Sequence, residues 1–262
     1  MLKSKKAKIC LLSGTTALLV AVVVSLLLCG SKWGIPPFGF LRDERLKKLE
    51  GNSEEYAIEN VVPFSSSPLE GMNICYLGSS VTYGASSLQT SFVEYIAKRN
   101  NTTFVKEAVS GTTLTQGDGS YVERLQKIDR SQRFDLFVCQ LSTNDASKNR
   151  QIGNIDSDNL DTVCGAINYV IRYVEQAWNC PIVFYTNAYY QSDQYKAMTA
   201  SLQKIAEKKN IGEIDLYNDA AFNDITDEQR KLYMEDSIHP TKAGYLRWWT
   251  PKMEEYLYSI FR

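Results

Sequence analysis

The chain has 262 residues, 44% of them hydrophobic and 23% charged, and its 29 basic and 30 acidic side chains leave a formal net charge of -1. With 16 Tyr, 10 Phe and 4 Trp it carries enough apolar surface for one domain of roughly 200 residues plus an appendage, which excludes an intrinsically disordered chain. Beyond the N-terminus there is no long run of one sign, so nothing points to a nucleic-acid partner.

Lys3, Lys5, Lys6 and Lys8 precede an uncharged run from Ile9 to Gly30. The run reaches the ~20 residues that a helix needs to cross a bilayer, so residues 1–30 read as a basic cytoplasmic tail and a transmembrane signal anchor. A cleaved signal peptide is the rival reading, because the basic start suits both; the apolar run is longer than an ordinary h-region of ~7–15 residues. Lipoprotein processing at Cys29 is disfavoured by the bulky Leu28 before it. Four lysines before the run, against Lys32 and Arg42 soon after it, orient the chain as a single-pass protein of the cell membrane with its main domain extracytoplasmic.

Residues 31–72 read as a juxtamembrane connector. Gly34, Pro36, Pro37 and Gly39 discourage regular structure, Leu41 to Leu49 suits a short charged helix, and Pro63 to Pro68 suits extended chain. The folded domain is then expected over residues 73–262.

Past Met72, short β-branched or aromatic runs alternate with longer helical ones. Expected strands are Asn73–Leu77, Phe104–Val109, Phe134–Leu141, Ile182–Thr186 and Glu213–Tyr217, with helices near Ser91–Lys98, Leu160–Trp178 and Gln194–Lys209. In the second helix Leu160, Val163, Cys164, Ile167, Val170, Ile171 and Val174 recur at spacings of three and four, which gives a crossover helix one apolar face. This alternation implies an α/β fold, a three-layer sandwich around a central parallel five-stranded sheet. Functional residues in such sheets gather at the carboxyl ends of the strands.

Four segments lie at such ends or follow the last strand. They are Tyr76-Leu-Gly-Ser-Ser-Val-Thr-Tyr-Gly84, Ala108-Val-Ser-Gly-Thr112, Leu141-Ser-Thr-Asn-Asp145 and Asp236-Ser-Ile-His-Pro-Thr241. In this order they resemble the sequence blocks of the SGNH (GDSL-like) hydrolases, from about Asn73 to the C-terminus. The resemblance implies a flavodoxin-like sheet, a serine-dependent ester hydrolase and no cofactor. It also implies roles: Ser80 as nucleophile, Asp236 and His239 as its Asp-x-x-His partners, and Gly111 and Asn144 joining the Ser80 backbone N–H in the oxyanion hole. In two places the chain departs from the family pattern, with Ser79 where the family has Asp and Ser142 where it has Gly. Both bear on local turn geometry and on the room beside the oxyanion hole, hence on the substrate.

The residue chemistry leads to the same roles. A serine hydroxyl needs a base to take its proton, and His239 is the only histidine in the chain. Pro240 suits the first turn of a following helix, which puts His239 at a loop-to-helix junction. Asp236, three residues earlier, can turn back onto Nδ1–H and leave Nε2 for Ser80. Asn144 offers an amide donor and Gly111 an unobstructed N–H, the groups an acyl oxyanion needs. Taken singly, these residues have plain structural roles too: His239 in packing, Asp145 as a helix cap, Gly111 in a turn, Ser79 and Ser80 at a strand end. Only the coincidence of all four blocks favours the site, and Asp145 stays structural.

Cys75 and Cys139 read as buried small hydrophobes. Cys164 and Cys180 leave a disulfide open, since spacing fixes no pairing, and neither pair makes a metal-ligand pattern with one histidine. The function expected is hydrolysis of a small-molecule or glycan ester, acetyl-like in its acyl part, at the outer face of a membrane. Lipid esters or thioesters, and a non-catalytic glycan-binding domain retaining the fold, are the alternatives.

Overall fold

The computed structural model describes residues 18–32 and 34–261. Two compact units are present, one up to Leu49 and one from Glu50 onward. In the first, the backbone is helical over residues 18–32, and Leu18, Leu19, Val20, Val22, Val23 and Leu28 expose their side chains. A second helix, α1, covers Phe40–Lys47. The expected span from Ile9 to Gly30 lies in part outside the described residues; among the described residues no helix is long and apolar enough to cross a membrane.

The second unit carries a sheet of β1 (Asn73–Gly78), β2 (Thr103–Ala108), β3 (Leu136–Gln140), β4 (Ile182–Tyr185) and β5 (Gly212–Ile214), all parallel, in the order β2-β1-β3-β4-β5. The longer helices are α3 (Phe92–Asn100), α6 (Val163–Ala177), α7 (Asp193–Lys209) and, near the end, α11 (Thr250–Ile260). Shorter ones are α2 (Ser80–Tyr83), α4 (Tyr121–Leu125), α5 (Thr143–Ser147), α8 (Ala220–Asn223), α9 (Asp227–Tyr233) and α10 (Lys242–Gly244).

Alternation along the strands divides the core in two, because successive side chains of a strand point to opposite faces. Cys75, Leu77, Phe137, Cys139 and Phe184 face the apolar stripes of α6 and α7, including Ile167, Val170, Val174 and Leu202. Ile74, Tyr76, Val138, Val183 and Tyr185 face Phe92 and Ile96 of α3 and, from the C-terminal segment, Trp249, Met253 and Leu257. Helices thus cover both faces, giving the expected three layers. Truncating a buried residue such as Ile167 to Ala would cost roughly 2–5 kcal/mol.

Local chemistry sets the element ends. Ser91 and Glu94 form a reciprocal capping box that starts α3. Thr162 caps α6, so that helix begins at Val163 and leaves Leu160 in the preceding loop. The last strand is shorter than expected: Leu216 N–H folds back on Ile214 O, and Tyr217 N–H donates to Thr186 Oγ1 rather than to a neighbouring strand.

The connector and domain boundary differ from the expectation of 31–72 and 73–262. Residues from Glu50 to Met72 pack as part of the second unit, through three short 3-10 turns and the buried Tyr56 and Leu69. Asn52 ties them down, donating to Ser86 O and accepting from Lys242 N–H. Cys75 and Cys139 are buried as expected, and Cys164 and Cys180 are separate thiols. Cys164 stands in the first turn of α6 and Cys180 just beyond its last, about 20 Å apart at the helical rise. A disulfide requires Cα atoms no more than about 7 Å apart.

Candidate active site

Strand register brings the first three blocks together. Gly78 pairs with Ala108 and Leu77 with Cys139, so the loops leaving β1, β2 and β3 emerge side by side at the carboxyl edge. Ser80 opens α2, immediately after β1, and is nearly buried. As the first residue of a helical turn, its N–H has no partner within the turn.

The turn between β1 and α2 is packed against β3. Ser79 N–H donates to Gln140 Oε1 at 2.8 Å and Thr82 Oγ1 donates to the same oxygen at 2.9 Å. Gly78 is required by close approach: a Cβ there would lie 1.7 Å from Thr82 Oγ1. From the other side, the buried guanidinium of Arg124 donates to Gly78 O, Thr112 Oγ1 and Gly119 O and pairs with Glu107, joining the ends of β1 and β2.

The fourth block supplies the remaining pair. The loop holding Asp236 and His239 is pinched at its base, where Met234 bridges Pro240, Glu235 N–H donates to His239 O and Thr241 N–H to Tyr233 O. Thr241 rather than Pro240 begins the following helix, by capping Gly244 N–H. Within the loop, Asp236 Oδ1 accepts from the backbone N–H groups of Ile238 and His239, both at 2.8 Å. The same carboxylate meets His239 Nδ1 at 2.8 Å through Oδ2, while His239 Nε2 lies 2.8 Å from Ser80 Oγ. A carboxylate can only accept, so Nδ1 carries the proton and Nε2 is left to accept from the serine hydroxyl.

Burial pushes the Asp236 carboxyl up, but the hydrogen bond and charge of His239, with the two backbone donors, outweigh it. The group is held well below the usual carboxylate range. Glu235, Asp236 and His239 also bring three potential metal-ligand atoms within 4.8 Å of one another. Asp236 and His239 are already committed there, to each other and to Ser80.

Gly111 and Asn144 are drawn together across Thr112. Asn144 Nδ2 donates to Thr112 O at 3.0 Å, and Lys148 Nζ donates to Gly111 O at 3.1 Å. Gly111 has φ +81°, a left-handed conformation that glycine adopts without strain, and its vacant Cβ position faces open space. One hydrogen of the Asn144 amide is used on Thr112, and the second is not needed there.

The two departures from the family pattern have structural roles. Ser79 is fully buried and held by Gln140. Ser142 caps α5, its Oγ accepting from Asn144 and Asp145 N–H. Asp145 is structural but caps nothing: fully buried, it accepts from Leu114 and Thr115 N–H and so anchors the loop that follows Gly111.

Sequence reasoning missed Gln140 and Arg124. For Gln140 there was a signal, an amide at the end of an otherwise apolar central strand, which must find a partner when buried. Nothing local distinguishes Arg124 from the other arginines.

Comparison with known proteins identifies a family and a shared fold. The model of the GDSL-like Lipase/Acylhydrolase family matches residues 76–247. No curated protein matches the sequence. Solved structures share the fold at low identity. A protein from Lactobacillus plantarum is 19% identical, with TM-score 0.64, over 72% of this chain and 98% of its own. A GDSL-like lipase candidate from Bacteroides ovatus is 18% identical, with TM-score 0.56, over 72% and 98%. The acetyl xylan esterase AlAXEase is 17% identical, with TM-score 0.52, over 70% and 98%.

Proposed function

Since the chain belongs to the GDSL-like Lipase/Acylhydrolase family and is an ester hydrolase of that type, we propose that it cleaves short acyl esters of glycans through an acyl-Ser80 intermediate, at the outer face of a membrane. The observation that carries this reading is the continuous line of hydrogen bonds from Asp236 through His239 to Ser80 Oγ.

In this mechanism Ser80 Oγ attacks the ester carbonyl carbon while His239 Nε2 takes its proton, and Asp236 stabilises the resulting imidazolium. The negative charge moves to the former carbonyl oxygen, where the N–H groups of Ser80 and Gly111 and the Asn144 amide receive it. Collapse breaks the bond to the alcohol oxygen, and the proton on His239 passes to the departing alcohol. Water then repeats the sequence on the acyl-enzyme, releasing a carboxylic acid and restoring Ser80.

A glycan is supported by the mixed lining of the groove that Asp236 borders, where the rings of Tyr189 and Tyr190 stand with the polar Gln191, Arg230 and Ser237. It is also supported by the shared fold of an acetyl xylan esterase. Anchoring is supported by the four N-terminal lysines and by the helical, apolar, exposed residues after position 17.

A fluorophosphonate probe tests the chemistry. Labelling of the wild type that disappears in Ser80→Ala and persists in Ser79→Ala is expected; labelling that depends on Ser79 instead would overturn the assignment. Esters of graded chain length test the acyl group, and a preference for long chains would favour a lipid ester. Protease treatment of intact cells should remove the domain, and full protection would place it inside.

A further inference from the structure

We propose that the open groove beside Asp236 is a saccharide subsite in which the exposed ring of Tyr189 stacks on a sugar unit next to the one bearing the ester. The inference rests on the glycan-ester reading above and names the part of the protein that recognises the glycan.

The groove encloses about 590 Å³ between the loop after β4 and the segment formed by α9 and the Asp236 loop. Asp236 is part of its wall, so the groove begins two hydrogen-bonded side chains from Ser80 Oγ. An extended glycan with its ester carbonyl at Ser80 would place a neighbouring unit there.

Tyr189 is 54% exposed, which leaves part of its ring open to a ligand. It is also held firmly. Its N–H donates to Asn223 Oδ1 at 2.8 Å, and Asn223 Nδ2 donates in turn to Leu216 O and Asp219 O. Behind it the ring meets Tyr217 at 5.2 Å, and the Tyr217 hydroxyl donates to Tyr190 O, which fixes the next residue of the same loop. The ring is therefore preorganised, and little conformational freedom remains to be lost on binding.

The opposite wall chooses between ligands. A sugar unit has an apolar C–H face for an aromatic ring and hydroxyls around its edge that both donate and accept. Asp227 and Arg230 on that wall, with Gln191 on the Tyr189 side, supply both kinds of partner, and among the described residues neither Asp227 nor Arg230 is in an ion pair. An acyl chain would use none of these partners, whereas sugar hydroxyls match them.

The test compares wild type, Tyr189→Ala, Tyr189→Phe and Tyr189→Trp as full chains in detergent, on partially O-acetylated xylotetraose and on p-nitrophenyl acetate. Loss of the stacking ring should raise KM for the tetrasaccharide about three- to tenfold with kcat held, and lower the preference for it over p-nitrophenyl acetate by the same factor. Phe and Trp should restore both. Parallel losses on the two substrates, or none on the tetrasaccharide, would overturn the subsite.

If the wild type hydrolyses p-nitrophenyl acetate but no acetylated tetrasaccharide, the glycan-ester reading fails. The groove is then judged by NMR titration of the Ser80→Ala chain with unesterified xylo-, cello-, manno- and chitotetraose. Binding that Tyr189→Ala weakens keeps the subsite, and absence of binding to all four removes it.

Discussion

The Oε1 of Gln140, at the end of β3, lies 2.8 Å from the backbone N of Ser79, the residue that precedes the serine bonded to His239. One buried amide thus fixes the position of the turn on which Ser80 stands. Replacing it by leucine leaves Ser79 N–H buried without an acceptor, and such a group costs roughly 1–3 kcal/mol. Gln140→Leu should therefore lower stability by about that amount in urea unfolding and reduce kcat as the turn relaxes. An unchanged midpoint with unchanged kcat would show that the turn holds itself.

Asn144 is expected to act through its second amide hydrogen, the first being used on Thr112 O. Losing an oxyanion donor typically lowers kcat by about 10²–10³. Asn144→Ala should show a drop of this order with near-native circular dichroism. If the rate scarcely moves, Asn144 is only a brace for the Gly111 loop.

Asp236 should be replaceable by Asn without unfolding, because an amide oxygen can still accept from Ile238 and His239 N–H. With that oxygen on the backbone donors, the NH2 takes the place of Oδ2 and can only donate to Nδ1, and stabilising the wrong tautomer lowers kcat by up to about 10⁴. The depressed carboxyl of the wild type binds fewer protons folded than unfolded. Its contribution to stability is complete above the ordinary carboxylate range and is lost as pH falls through the folded value. Thermal unfolding across the acid range should be flatter in Asp236→Asn, and kcat at neutral pH should be far lower. A variant with near wild-type kcat would remove Asp236 from the mechanism.

Glu213, far from Ser80 in β5, gives the opposite pH dependence. Burial pushes its carboxyl up to about 7, with Asp215 and Glu207 adding to the rise, and Oε1 has no hydrogen-bond partner. The folded state then holds a proton that the unfolded chain releases, so stability should fall as pH rises from about 4.5 to about 7 and level off above that. Glu213→Gln should abolish this slope and unfold at higher urea than the wild type at pH 8, by on the order of 1–3 kcal/mol. Parallel pH profiles for the two proteins would show that Glu213 is not the titrating group.

The sequence by itself determined the five strands and the helices α3, α6 and α7, because β-branched or aromatic runs and apolar spacings of three and four report which faces must be buried; the C-terminal α11 was not among the expected helices. It also pointed to Ser80, Asp236 and His239, through four blocks that in this order resemble those of the SGNH hydrolases and through the single histidine available as base to a serine. The tertiary structure decided what holds these residues in place. Gln140 stands 61 residues from Ser79, and only the register of β3 beside β1 brings them together. Arg124 reaches Gly78 over 46 residues, Asp145 reaches Leu114 over 31, and residues 50–72 join the domain through Asn52, whose partner Lys242 is 190 residues away. The groove beside Asp236 was hidden for the same reason, its two walls being distant along the chain. Local patterns record what a segment must bury, whereas the choice among many chemically equivalent partners is made only when the sheet order and loop paths set which of them meet.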